Sequence, residues 1–167
     1  CSSLTSVSIG NSVTYIGSSV FMRCTSLTSV TIPGNVTSIG VYAFRDCSSL
    51  TSVSIGNSVK TIGDRAFSKC SSLTAINVSI YNPNYASFKG VLFDKTLTTL
   101  IQYPGGYSDS YTIPNNVTSI VNYAFYDCTS LVSVTLGNIV KSIGVSAFEN
   151  CTSLTSVLFT GNKPSVG

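Results

Sequence analysis

The most reactive side chains in this chain of 167 residues are six cysteines, and their spacing is regular: Cys1, Cys24, Cys47 and Cys70 stand 23 apart, as do Cys128 and Cys151. Thiols so placed could form disulfides, hold zinc or act as nucleophiles. The chain has no histidine, so neither a Cys–His nucleophile nor a zinc site of mixed Cys and His can be assembled. The acids Asp46, Asp64, Asp94, Asp109, Asp127 and Glu149 stand singly, which leaves no pair for acid and base work, and no glycine-rich phosphate cradle is present. The pattern is that of a protein that is not an enzyme and uses no cofactor or metal.

The cysteines are one rung of a larger repeat. Leu4, Leu27, Leu50, Leu73, Leu131 and Leu154 recur with the same period, as do Val7, Val30, Val53, Ile76, Val134 and Val157, and Phe21, Phe44, Phe67, Phe125 and Phe148. A fixed period of this length specifies stacked coils, each too small to bury its apolar face alone. Burying about six apolar side chains per coil contributes roughly 10 to 18 kcal/mol gross, whereas ordering 23 backbones costs on the order of 23 to 46 kcal/mol. Stability must therefore come from neighbouring coils. Equivalent residues of stacked coils lie ~4.8 Å apart, close enough for a disulfide. They also point the same way into the core, which predicts free thiols acting as small buried groups, with Cys1 the most exposed.

Residues 47 to 70 show one coil. Val53 and Ile55 alternate with Ser52 and Ser54 in the period of a half-buried strand. Gly56 and Asn57 form a first corner suited to positive φ. Val59 and Ile62 then point inward, Gly63 permits a second corner, and Ala66 and Phe67 fill the interior before Cys70 closes the circuit. The expected fold is one parallel, β-rich repeat solenoid over 1–167, with about seven coils and irregular longer coils over about 76–113. Gly63 to Cys70 is too short for more than a 3₁₀ turn, so little regular helix is expected. Lacking a polar capping unit at either end, the chain is expected to be a fragment of a longer protein.

Nine Lys and Arg face six Asp and Glu, a net charge of +3 with no run of one sign. That gives no footprint for nucleic acid, and no apolar run is long enough for membrane insertion. Low charge with dense Ser and Thr is commoner in surface and extracellular proteins than in cytosolic ones.

Leu50-Thr51-Ser52-Val53-Ser54-Ile55, then Val59-x-x-Ile62-Gly63, then Ala66-Phe67-x-x-Cys70, resembles the BspA-type leucine-rich repeat. Ile32-Pro33 and Ile113-Pro114 reproduce an Ile-Pro variant of the first corner. The resemblance implies a curved, right-handed leucine-rich-repeat solenoid with short 3₁₀ turns, on cell-surface or secreted proteins. It also implies adhesion, non-catalytic binding of host matrix or plasma proteins and of other microbes.

Cys70 to Cys128 spans 58 residues, twelve more than two periods, so one or both of these coils carry an insert. Val91-Leu92-Phe93 stands where Ala-Phe and Cys are expected, and the family's long variant repeat has a similar Gly-Val-Leu stretch and Tyr-Pro-Gly turn. Tyr81, Tyr85, Tyr103, Tyr107 and Tyr111, five of the nine tyrosines, fall here. Exposed tyrosine is a favoured contact residue, which makes these rings candidate binding residues; the alternative is that they cover a corner where the apolar ladder is broken. The outward ladder Ser29 and Thr31, Ser52 and Ser54, Ser133 and Thr135 is a second candidate, a flat uncharged face for an extracellular protein or glycan, or simply a soluble β face. Its Thr-x-Thr character partly resembles ice-binding proteins, but Ser outnumbers Thr, and Ala75, Asn77 and Leu158 interrupt it. The residues also fit a structural spacer holding another domain away from the cell. Four Asn-x-Ser/Thr sequons, at Asn35, Asn77, Asn116 and Asn150, bear on glycosylation only in a eukaryotic secretory pathway.

Overall fold

The computed structural model describes residues 1–161 and 164–166, and it winds as a parallel β-solenoid of about seven turns. None of the described residues is helical. Alternation builds the strands: in β2 (Ser29–Ile32) and β4 (Ser52–Ile55) every Val and Ile is buried while the Ser and Thr between them reach the surface. β2, β4 and β6 (Ala75–Val78) pair in parallel one period apart, placing Val30 beside Val53 and Val53 beside Ile76. A narrower column, β1 (Tyr15–Ile16), β3 (Ser38–Ile39) and β5 (Thr61–Ile62), stacks Ile16, Ile39 and Ile62.

The periodic rungs form the core. Leu27, Leu50, Leu73, Phe44 and Phe67 are at most 2% exposed, and the rings of Phe21, Phe44 and Phe67 stack with centroids 5.2 and 5.6 Å apart. Four of the thiols are directed at the preceding coil: Cys47 Sγ donates to Phe21 O at 3.1 Å, Cys70 Sγ to Phe44 O at 3.2 Å, Cys128 Sγ to Tyr103 O at 3.9 Å and Cys151 Sγ to Phe125 O at 3.0 Å. All six thiols are free, and Cys1 is exposed. Burial pushes the Cys128 thiol well above its ordinary value and that of Cys151 up to about 11. An aromatic disulfide reagent at about pH 8 should therefore titrate Cys1 quickly and the other thiols only after unfolding in guanidinium. Three or more fast equivalents would put the cysteine ladder on the surface.

The corners differ from expectation in two ways. Where a 3₁₀ turn is expected, the chain makes successive β-turns such as Ala66 N–H to Gly63 O and Ser68 N–H to Arg65 O, each 3.2 Å. These carry left-handed residues at matching places of the regular coils, Tyr42 and Asp46, Arg65 and Lys69, Tyr123 and Asp127. Glycine, in contrast, is not there for positive φ: Gly90 alone among the described glycines has it. At Gly40, Gly63 and Gly144 a Cβ would lie 2.5, 2.4 and 2.4 Å from a backbone nitrogen of the preceding coil. Close stacking, not backbone freedom, selects glycine there.

The parallel ladder is interrupted once. After β6 the chain forms an antiparallel meander, β7 (Tyr85–Phe88), β8 (Val91–Asp94) and β9 (Thr99–Gln102). β9 then starts a second parallel column with β11 (Ser119–Ile120), β13 (Ser142–Ile143) and β15 (Ser165–Val166). From Ser110 the 23-residue register returns in β10 (Asp109–Thr112), β12 (Leu131–Leu136) and β14 (Ser156–Phe159). The extra residues thus lie in one coil, between β6 and β9. Val91-Leu92-Phe93 is a hairpin strand rather than a substitute corner, and Tyr103 takes the place of the phenylalanine.

This coil divides the interior into two apolar clusters, with Leu92 of β8 in the first and its neighbours Val91 and Phe93 in the second. The long coil also lacks the usual corner, since only Ile101 and Gln102 separate Leu100 from Tyr103. Arg65 spans the gap: its guanidinium lies 3.5 Å from the Tyr123 ring centroid and 4.6 Å from that of Tyr126, and Nη1 donates to Tyr42 Oη at 3.1 Å. Lys69 reaches Asp127 at 3.7 Å on the same side. We refer to this junction as the seam.

Candidate functional site

The site begins with Phe88-Lys89-Gly90-Val91. Lys89 and Gly90 have φ of 50° and 76°, the two left-handed positions of a type I′ hairpin turn, with Phe88 paired to Val91. The tip of this hairpin enters the seam. Gly90 O accepts from Ile76 N–H of β6 at 2.8 Å, and Ser87 Oγ accepts from Val78 N–H at 3.1 Å. Any Cβ at residue 90 would sit 2.7 Å from Thr74 O. Asn82 fixes the root: buried, it donates through Nδ2 to Gly56 O (2.9 Å) and Val59 O (3.1 Å), and its Oδ1 accepts from the N–H groups of Asn84 (2.8 Å) and Tyr85 (2.9 Å).

Between the hairpin tip and β10 lies a cleft of about 390 Å³ walled by Phe88, Lys89, Tyr107, Ser110, Tyr111 and Thr112, with Tyr103 beneath. Tyr107 Oη donates to Lys89 O at 2.9 Å. The Tyr103 ring is 5.6 Å from that of Tyr107, 4.8 Å from Tyr111 and 4.9 Å from Phe125.

Of the five candidate tyrosines, three converge here in different roles. Tyr103 is 2% exposed, so its expected role as an exposed contact ring is corrected: it is a rung of the aromatic column, below Phe125 and Phe148. Tyr111 registers with Val134 and fills an inward valine position, half-buried, its hydroxyl oxygen without a partner among the described residues. Tyr107 is half-buried at the cleft wall. Tyr85, half-buried, donates to Lys60 O at 3.3 Å, and Tyr81, 79% exposed beside equally exposed Ile80, stands apart from the cleft.

Burial pushes the Tyr103 and Tyr111 phenols well above their ordinary value, with neighbouring ionisable groups adding to it. A phenol whose folded pKa is raised stabilises the fold fully below its unfolded pKa of about 10, and that contribution is lost as pH rises above it. Stability should fall above about pH 10, and Tyr103→Phe should flatten that fall when melting temperature is followed against pH. An unchanged slope in the variant would contradict the burial.

Ser29, Thr31, Ser52 and Ser54 lie on the first three-stranded sheet, Ser133 and Thr135 on the second. In register they form the columns Ser29, Ser52, Ala75 and Thr31, Ser54, Asn77 before the seam, and Ser110, Ser133, Ser156 after it, where Ser133 Oγ donates to Ser110 Oγ at 2.7 Å. The expected continuous face is thus two faces with the hairpin tip between them. Asn35 and Asn116, at equivalent corners, use their amide groups to bond carbonyls of the preceding coil, Asn116 to Leu97 O at 2.6 Å and Asn35 to Gly10 O at 3.4 Å.

A family model for the BspA type leucine rich repeat region matches residues 1–109 and 106–167, in 6 copies. The fold is similar to that of a leucine rich cell surface protein from Faecalibacterium prausnitzii, at 37% identity and TM-score 0.81, over 93% of this chain and 41% of that one. It is similar also to a leucine rich repeat protein of T. pallidum, at 28% identity and TM-score 0.63, over 98% of this chain and 73% of that one. For the pneumococcal vaccine antigen PcpA, at 24% identity and TM-score 0.68 over 92% of this chain and 50% of that one, the likeness is one of fold. The chain spans less than half the length of the first of these. No curated protein matches it.

Proposed function

The chain belongs to the BspA-type leucine-rich repeat family, and on that footing we propose that it is a non-catalytic binding module of a cell-surface protein, recognising host or microbial proteins or glycans through its repeat surface. The observation that carries this reading is the outward strand face. Its outward positions stay in register over three strands on each side of the seam and are Ser or Thr except at Ala75, Asn77 and Leu158. An uncharged, regular surface of that kind offers many small polar contacts to a large partner and little to a small one. The cleft adds aromatic area at the centre of the same surface, where interface energy concentrates. The similarity to a protein described as a leucine rich cell surface protein supports placing this chain there.

The test is saturable binding of the purified chain to immobilised matrix proteins, plasma proteins and glycans, run beside Thr31→Lys/Ser54→Lys on the first sheet and Ser133→Lys/Thr135→Lys on the second. Charge placed on the face that binds should weaken binding at least tenfold, about 1.4 kcal/mol, without changing the melting temperature. If the unmodified chain binds none of these surfaces, the solenoid is a spacer.

A further inference from the structure

β10 is a strand edge in the middle of the molecule. Among the described strands it pairs with β12 alone. Ile113 N–H donates to Thr135 O, and by strand alternation the N–H and C=O groups of Ser110 and Thr112 point the other way, into the seam. Among the described residues no backbone partner meets them there. The facing edge of β6 is closed, because the hairpin tip takes up Ile76 N–H and Val78 N–H. The hairpin therefore caps one side of the seam and leaves the other open, and the cleft runs along the open side.

From this asymmetry we infer that the seam is a strand-addition site: an extended segment of a partner protein pairs with β10 and seats a side chain in the cleft against Phe88 and Tyr107. This rests on reading the chain as a binding module and narrows it to one site and one class of ligand. A row of alternating donors and acceptors matches an extended peptide backbone, which supplies the complementary row at the same repeat. A sugar supplies no such period. The edge is short, and it opens with a register shift between Asp109 and Ser110, where Asp109 is charged and left-handed at φ 83°. Such features keep an edge from pairing with copies of itself, so the site admits one added strand of a few residues rather than seeding a growing sheet.

Thr112→Pro is the direct test. It removes a single N–H that has no partner in the free chain, at an edge position where proline is tolerated. A phage library of random decapeptides, selected on the unmodified chain, supplies the probe. Enriched sequences are expected to bind Thr112→Pro at least tenfold more weakly at an unchanged melting temperature. Binding that survives the substitution overturns the inference, and so does a library that yields no enriched peptide. If Thr112→Pro does not fold, the synthetic peptide decides the matter. N-methylation of alternate amides along it should abolish binding in one phase and be tolerated in the other, and loss in both phases or neither would refute strand pairing. Glycan or protein capture that is indifferent to Thr112→Pro would leave the binding module intact and remove this site alone.

Discussion

Phe125→Ala is expected to destabilise the chain by about 3 to 5 kcal/mol, the range for deleting a buried aromatic ring. Phe125 is fully buried, with the Tyr103 ring 4.9 Å below it and the Phe148 ring 4.7 Å above. The hole would thus open inside a continuous column whose neighbours are held by their own strands and cannot collapse into it. Because the two apolar clusters meet only through the long coil, the loss should also be local. Amide exchange should accelerate in β12 and β13 and remain near its original rate in β4. Phe44→Ala, in the column with Phe21 and Phe67, should show the opposite distribution at a similar cost. An unchanged guanidinium midpoint for Phe125→Ala would contradict the inward column. Equal acceleration in both halves would contradict the division at the seam.

The core was legible in the sequence because a period repeated without change leaves one choice of inward face: Leu50, Val53, Ile55 and Phe67 recur too regularly to point anywhere else. The seam was less so. Tyr103 and Tyr111 continue the aromatic and valine ladders, yet tyrosine suits a core rung and a contact surface equally, and twelve extra residues hide the register that would decide between them. Lys89-Gly90, flanked by Phe88 and Val91, was a readable signal for a two-residue hairpin. What no sequence signal reveals is where that hairpin lands. Its tip bonds Ile76 and leaves Ser110 and Thr112 open, an outcome of coil stacking rather than of any local preference. The glycines mislead in a similar way. Gly63 resembles a turn former, but its absent Cβ answers to Val41 N of the coil before it, a contact separated from it by nearly one whole period.

Asn82→Leu should cost about 4 kcal/mol and release the hairpin. Leucine branches at Cγ as asparagine does, with methyl groups in place of the amide oxygen and nitrogen, so the change removes all of the bonding at the cost of some added bulk. The amide of Asn82 is fully buried and satisfies Gly56 O and Val59 O on the preceding coil and the N–H groups of Asn84 and Tyr85 on its own. Four bonds at about 1 kcal/mol each give the total. No water can take over a position that an apolar side chain fills. The consequence reaches the binding surface, because the turn holding Asn82 leads directly into β7, and β7 sets where Phe88 and Lys89 enter the seam. Amide exchange at Ile76 and Val78, whose N–H groups the hairpin protects, should rise by orders of magnitude in the variant while β12 is unaffected. If those two amides stay protected, the hairpin is held by its own pairing with β9, and Asn82 is an anchor of the preceding coil alone. If they are released and peptide capture is lost with them, the open edge of β10 and the closed edge of β6 are two results of one buried amide.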